Sequence, residues 1–337
     1  KIFLDYMRSF CPNVIPQENV TFIKCFEHIK TLEEYFNEYL MTYREQWPYE
    51  TDGIIVTIDD RRMFKNIDKK RGGADRFHYY NIAIKPPAQS KETKLIDISW
   101  EVSRLGNVIP VGVLEPVKIG SVEISNVTLN NAYTVKIMNF TKNCIVRVER
   151  ANDVIPKLIE VVSQTDIPFE IPTHCPSCGS LLDTNISDTN RHIRCINKQC
   201  KGRIVSQMYY WVTKNNIKDI GIKTIEDLYN VGVRSIADLY TVNIDEILSS
   251  LKGYISGGSK TTKINEELER TKGISQRDLI ARIGIPSVGE AIVDKYNINS
   301  IEDLLEYKKD RLYKYEAEKN IHEWISDQTN EELIKSL

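Results

Sequence analysis

The chain has 337 residues, enough for two to four domains, and carries 45 basic against 47 acidic residues for a net charge of −2. That balance excludes a protein that coats nucleic acid by bulk charge, while leaving room for local basic patches and main-chain contacts to phosphate. No apolar run reaches the ~18 residues a membrane span needs and no signal peptide is visible, so an intracellular location with no membrane partner is expected.

The first element is an amphipathic helix over residues 32–46, with Thr31 as N-cap, Glu34 three residues on, and Pro48 ending it. Two apolar strands follow, at 53–58 and 80–84, separated by a basic, glycine-containing loop at 61–73 that reads as a solvated face. From residue 95 the period becomes two: Ile96, Ile98, Trp100 and Val102 alternate with Asp97, Ser99 and Glu101. Further short strands are expected at 111–117, 122–127 and 144–148, with turns at Gly106-Asn107, Gly120 and Lys142-Asn143. Five or so short strands in this space predict a small β-barrel such as an OB-fold.

Next come two close cysteine pairs, Cys175-Pro-Ser-Cys178 and Cys195-Ile-Asn-Lys-Gln-Cys200, with residues 179–194 between them. Two short knuckles of this kind supply the four thiolates of a tetrahedral Zn²⁺ site. Two disulfides or four free thiols are the alternatives. Four protein ligands leave no open position for water, so the zinc is expected to be structural; His174 and His192 are neighbours, not ligands. So short a segment has little core of its own, and metal binding of about 10–16 kcal/mol would supply its folding energy. Seven cysteines in all, an odd number, fit a reducing compartment.

Everything after the knuckles is helical in pattern, near 203–215, 235–251, 261–272, 276–283, 288–297 and 300–308. Ile283-Gly284-Ile285-Pro286-Ser287-Val288-Gly289-Glu290-Ala291 joins two of these helices through a glycine-rich turn, the helix-hairpin-helix pattern. Weaker copies stand at Ser256-Gly257-Gly258-Ser259-Lys260 and Ile220-Gly221-Ile222-Lys223-Thr224, and a fourth, without glycine, near 310–325. An ordinary helix–helix loop is the alternative for any one of them. In tandem they predict binding to DNA phosphates through main-chain N–H groups and helix dipoles, with Gly258, Lys260, Gly284 and Gly289 as contacts.

The order of parts resembles the C-terminal portion of the NAD-dependent DNA ligases. Several segments carry the likeness: Glu50-Thr51-Asp52-Gly53-Ile54-Ile55-Val56, Ala83-Ile84-Lys85-Pro86-Pro87-Ala88, Val102-Ser103-Arg104-Leu105-Gly106, Asn126-Val127-Thr128-Leu129-Asn130-Asn131 and Arg150-Ala151-Asn152-Asp153-Val154-Ile155-Pro156. The resemblance implies a multidomain α+β fold. Its parts are the end of a nucleotidyltransferase (adenylation) domain at 1–90, an OB-fold at 91–165, a zinc finger at 172–203 and a helix-hairpin-helix DNA-binding domain at 204–337. It implies sealing of nicks in duplex DNA during replication and repair, in a cell of bacterial or viral affinity, with NAD and Mg²⁺ used by the complete enzyme. By the same resemblance Lys85 would sit at the AMP phosphate, and Arg44, Asp52 and Gly53 would line the nucleotide site. Arg104 and Arg150 would grip phosphates near the nick, while Val154 and Ile155 would press on the minor groove.

The sequence also departs from the family pattern. The nucleophilic lysine belongs to Lys-x-Asp-Gly, yet the single Asp-Gly here follows Glu50 and Thr51. Thr57 stands where a second phosphate-binding lysine is expected, and a hydroxyl cannot replace that charge. Pro86 replaces an aromatic and Asn152 a glycine. The lysyl-AMP step is therefore assigned to a missing N-terminal half or a second chain. A catalytically inactive ligase-like protein that binds nicked or branched DNA is the alternative. An RNA-end-modifying nucleotidyltransferase is less favoured because it leaves the tandem hairpins unexplained.

Overall fold

A computed structural model describes residues 29–38, 54–57, 81–85, 88–120, 122–151, 155–187, 189–251, 258–308, 315–327, 330 and 333–334. Contacts divide the chain into two units. The first is Lys1–Lys91 with Ile119–Val122 and Val148–Lys157, the second Glu92–Lys118 with Glu123–Arg147 and Leu158–Leu337.

In the first unit, helix α1 spans Ile29–Glu38, so it starts two residues before Thr31, which lies inside the helix and is not its cap. The remainder of the expected helix, 39–46, lies outside the described residues, as do Arg44, Asp52, Gly53 and the basic loop. Strands β1 (Ile54–Thr57) and β2 (Asn81–Ile84) pair antiparallel with Ile54 opposite Ile84.

The β-rich part holds β3 (Gln89–Val102), β4 (Asn107–Ile119), β5 (Val122–Thr128), β6 (Cys144–Ala151) and β7 (Ile155–Ser163). Their order is β3-β6-β7-β5-β4, and β3 also pairs with β4, so the sheet closes into a five-stranded barrel. Closure depends on a local irregularity. Leu95 pairs with Leu114 but Asp97 with Val113, so Ile96 is an extra residue bulged out of the ladder. The expected alternation through Ile96 therefore breaks: Leu95 is fully buried, Ile96 is exposed, and Ile98 and Val102 resume the inward face. Just past the bulge, Gly112 pairs with Ile98. A Cβ there would lie 2.9 Å from Leu95 Cδ1 and 3.2 Å from Val127 Cγ1, so the space a side chain would fill is taken by its neighbours.

Between β5 and β6 runs helix α2 (Ala132–Met138), which the alternation pattern did not predict. Asn131 caps it by accepting from Thr134 N at 2.9 Å, and Asn139 ends it in the left-handed conformation. The strand after Arg150 was also unforeseen, because Pro156 and the charges of Lys157 and Glu160 mask its apolar run.

The cysteine segment forms a small hairpin, β8 (Leu182–Asp183) with β9 (Ile193–Cys195), and β9 adds to the barrel sheet beside β4 at Asn107 and Val108. Its apolar side packs against the barrel. Val102, Val108 and Ala132 share one buried cluster with Cys175, Leu182, Ile193, Cys195 and Cys200. The segment thus borrows a core from its neighbour.

The helical part contains α3 (Lys201–Lys214), α4 (Ile222–Asn230), α5 (Asp238–Thr241), α6 (Ile244–Ser249), α7 (Ser259–Thr271), α8 (Gln276–Arg282), α9 (Glu290–Lys295), α10 (Ile301–Leu305) and α11 (Glu316–Ile325). The single segment expected at 235–251 is two short helices, because Asn243 caps a new start by accepting from Glu246 N. One cluster around Trp211, Met208, Ile225, Leu228, Ile280 and Val293 is the core. Trp211 donates its indole N–H to the Tyr240 hydroxyl at 2.8 Å, and that hydroxyl is 2.9 Å from Thr271 Oγ1. The indole and the two hydroxyls thereby satisfy one another.

Helix α3 is the spine. Ser206 donates to the Val102 carbonyl at 2.7 Å, Gly202 N donates to Ser177 Oγ at 2.8 Å, and Gln207 donates to the Ile283 carbonyl at 2.5 Å. One helix thereby ties together the barrel, the first cysteine knuckle and the hairpin after α8.

Candidate metal centre and nucleic-acid interface

Cys175 Sγ lies 3.7 Å from Cys200 Sγ, Cys178 Sγ lies 3.6 Å from Cys195 Sγ, and all four sulfurs fall within 4.8 Å of one another. Disulfide sulfurs sit at about 2.05 Å, so neither pair is bonded. A tetrahedron of thiolates at about 2.3 Å from a central ion has sulfur–sulfur edges of about 3.8 Å, which is the spacing found. The knuckle backbones are set by short local bonds: Gly179 N to the Cys175 carbonyl at 2.9 Å, Cys175 N to the Ser180 carbonyl at 2.8 Å, and Cys200 N to the Asn197 carbonyl at 3.2 Å. Burial pushes the Cys195 thiol up to about 12. At Cys178 burial acts the same way, but hydrogen bonding with the Ser180 side chain and backbone outweighs it and brings the thiol down to about 6. His174 bonds instead to the Thr173 hydroxyl.

The barrel loop that precedes β4 leans on this centre. Gly106 has φ +85°, its carbonyl accepts from Cys195 N at 2.8 Å, and a Cβ on it would meet the Cys195 carbonyl at 2.5 Å. Arg104, in the same loop, donates to the Gly284 carbonyl and stacks over the Tyr210 ring at 4.2 Å. Burial lowers its pKa. A residue read as a phosphate grip is thus engaged within the protein.

The helical hairpins repeat at the level of backbone geometry. After α3, Asn216 and Asp219 take φ values of 51° and 62°, and Gly221 caps α4; after α8, Gly284 and Ser287 take 101° and 59°, and Gly289 caps α9. Spacing is the same in both turns, and so is burial: Ile217 and Ile220 match Ile285 and Val288 as buried residues. A Cβ on Gly221 or Gly289 would meet nothing within 4 Å, so both caps face open space with first-turn N–H groups behind them. Each hairpin is followed by a matching stop. Val233 N bonds back to the Leu228 carbonyl past Gly232, and Ile298 N to the Val293 carbonyl past Asn297. Then Ser235 with Asp238, and Ser300 with Asp303, make the same reciprocal pair of bonds at the approach to the next helix. The 220–224 copy, weak as sequence, is therefore a full structural repeat. Its signal was the recurrence of Ser-Ile-x-Asp-Leu at 235–239 and 300–304, and the missed residues are Asp219 and Ser287, which hold glycine-like backbone without being glycine.

The remaining expected site residues are placed as follows. Lys85 is exposed and directly follows the Ile54–Ile84 pair. Arg150 lies in β6, with a guanidinium nitrogen 3.5 Å from where a Gly120 Cβ would be. Ile155 opens β7. Gly258 caps α7, and Lys260 lies in that helix's first turn. Gly284 is buried under Arg104, Gln207 and Tyr210 and does not face solvent. Val154 lies outside the described residues, as does the Ser256-Gly257 part of the hairpin that contains Gly258.

Residues 92–168 match the NAD-dependent DNA ligase OB-fold domain, and residues 215–261 match the SAM-like helix-hairpin-helix tandem. The chain is 32% identical over 307 residues to a DNA ligase of Aquifex aeolicus, covering 87% of this chain and 42% of that protein. It is 32% identical over 334 residues to one of Brachyspira hyodysenteriae, covering 91% and 47%, and 32% identical over 348 residues to one of Prochlorococcus marinus, covering 98% and 49%.

The chain belongs with the NAD-dependent DNA ligases. It spans about half the length of the curated relatives it matches. The ligase OB-fold match covers β3 to β7 and the Asn131-capped helix between them, and the tandem match covers the first hairpin repeat. Among the described residues, no helix is long and apolar enough to cross a membrane.

Proposed function

We propose that this chain is the DNA-gripping part of an NAD-dependent ligase that seals nicks in duplex DNA. The observation that carries the reading is the pair of geometrically equivalent hairpins, each ending in an open glycine cap, on the same chain as a ligase-type barrel. Such caps present main-chain N–H groups to phosphates at two places and need little net charge, in keeping with the value of −2.

Gly221 and Gly289 are the principal contacts in this reading, supported by Gly258 and Lys260 at the start of α7 and by Arg150 on the barrel. Gly284 serves the hairpin from inside, as the left-handed residue that starts the turn. Arg104 reaches a DNA phosphate only by giving up the Gly284 carbonyl and the Tyr210 ring. Lys85 is the candidate for the nucleotide phosphate, and Arg44, Asp52 and Gly53 for the pocket wall, with NAD and Mg²⁺ as the cofactors of the complete reaction. Val154 and Ile155 are assigned to the minor groove. The four-cysteine cluster is assigned to structural Zn²⁺, on its sulfur spacing.

The nucleophilic lysine has to come from a Lys-x-Asp-Gly motif that these 337 residues do not contain. The test is therefore reconstitution. Nicked duplex, NAD, Mg²⁺ and this chain are mixed with a segment bearing that motif and the nicotinamide-side domain. Sealed product that depends on both components supports the reading. Tight binding of nicked duplex with no sealing under any such mixture would reduce the chain to a DNA-binding relative.

A further inference from the structure

Within the second unit lies a cavity of about 430 Å³. Its lining includes Arg104, Arg203, Arg234 and Gln207 together with Met208 and Trp324. Lys198 and Asp327 also line it, but they neutralise each other as an ion pair at 2.5 Å. The three arginines have no carboxylate partner among the described residues. Elsewhere in the chain arginines are commonly paired: Arg147 with Glu92 and Glu160, Arg270 with Glu267, Arg277 with Asp278 and Asp294, and Arg282 with Asp278 and Glu290. The contrast matters because Arg104 and Arg203 are half-buried, where an uncompensated charge is costly.

Their existing contacts leave capacity. Arg104 has one carbonyl and a ring face, Arg203 holds the Cys195 and Asn197 carbonyls only at 3.5 Å, and Arg234 stacks over Tyr229 at 3.9 Å and reaches the Val233 carbonyl only at 3.5 Å. A guanidinium carries five N–H donors in a planar fork, suited to two oxygens of one phosphate. A volume of 430 Å³ lies in the range of small-molecule sites and exceeds what a bare anion needs. An indole and a thioether in the same lining suit a flat, weakly polar group.

From this arrangement we propose that the cavity is a binding site for a small organic phosphate with a planar ring, of the nucleoside monophosphate class. The phosphate lies among Arg203, Arg234 and Arg104, and the ring lies against Trp324 and Met208. The lining does not include the open glycine caps, and the proposal does not depend on the nick-sealing reading.

The test is calorimetric titration of the chain with adenosine monophosphate, inorganic phosphate and adenosine, at constant ionic strength, with tryptophan emission followed in parallel. The expected order is monophosphate tightest, phosphate weaker, adenosine weakest, at one site per chain. Arg203→Gln and Arg234→Gln should each weaken the monophosphate by about tenfold or more, since each removes charge-assisted bonds. Trp324→Phe should abolish the change in emission, and the arginine variants should keep the parent's melting temperature to show that the fold is intact. Equal affinity for phosphate and monophosphate would reduce the site to an anion hole and overturn the proposed ligand. No binding, or binding that survives both arginine variants, would overturn the site. Loss of duplex-DNA binding in those variants, with no effect of the monophosphate on either protein, would assign the cavity to DNA instead.

Discussion

Gly106 concentrates the demands of the barrel–cysteine junction in one residue. Its φ of +85° excludes most side chains, and a Cβ would press on the Cys195 carbonyl at 2.5 Å. Strain of this kind costs on the order of 1–3 kcal/mol before the clash is counted. Gly106→Ala is therefore expected to lower the melting temperature and weaken metal retention together; an unchanged melting profile would show that the loop does not brace the centre. Asp303 offers a second residue-scale test. Bonds from Asn299 N, with those from the Ser300 hydroxyl and backbone, hold its pKa below the ordinary carboxylate value. A depressed folded pKa contributes stability above the unfolded value of about 3.9 and loses it as pH falls through the folded one. Asp303→Asn should thus be less stable than the parent at neutral pH, and the gap in denaturant midpoint should narrow below about pH 4. A gap independent of pH would show that the carboxylate charge is not what the cap uses. Legibility at this scale was uneven. The four cysteines announced themselves by spacing, whereas Arg104 could not be read, because its partner Gly284 lies 180 positions away in sequence.

At the scale of elements, the cysteine module stands on two supports. The sulfurs are spaced for an ion, and Leu182 and Ile193 share a core with Val102 and Val108 of the barrel. One equivalent of zinc per chain is expected. Cys178→Ser or chelation should then loosen the adjoining barrel end as well as the module, seen as lost hydrogen-exchange protection at Val108 and Ile193 together. Metal-free protein with full protection at both would contradict the assignment. Strand and helix patterns foretold most of the barrel, α3, and the helices from α7 to α10. They failed where a local device overrides periodicity: the bulge at Ile96, the Asn131-capped helix, and the break at Asn243. They also undervalued the first hairpin, because Asn216 supplies by side-chain tolerance the backbone that Gly284 supplies in the second.

On the scale of the whole molecule, the sequence order anticipated the architecture because each part brings its own local code: alternation, cysteine knuckles, hairpin turns. What order could not show is the integration through α3, which bonds to Val102, Ser177 and Ile283 in three different parts of the chain. That spine fixes the second hairpin to the barrel within the second unit and gives the two open caps a common scaffold. The central claim is that duplex DNA is held by those caps. Gly221 and Gly289 have φ values of −91° and −139° with empty space beside them, so an alanine methyl meets no atom of the fold there and costs only alanine's weaker N-cap preference. A methyl group at each cap nonetheless stands where a phosphate must approach. The decisive measurement is the affinity for nicked duplex of the parent and of the Gly221→Ala, Gly289→Ala double variant, read by fluorescence anisotropy at two salt concentrations. Salt-sensitive binding by the parent, at least about tenfold weaker in a double variant that melts at the same temperature, is the predicted result. No binding by the parent, or equal binding by both proteins, would contradict it.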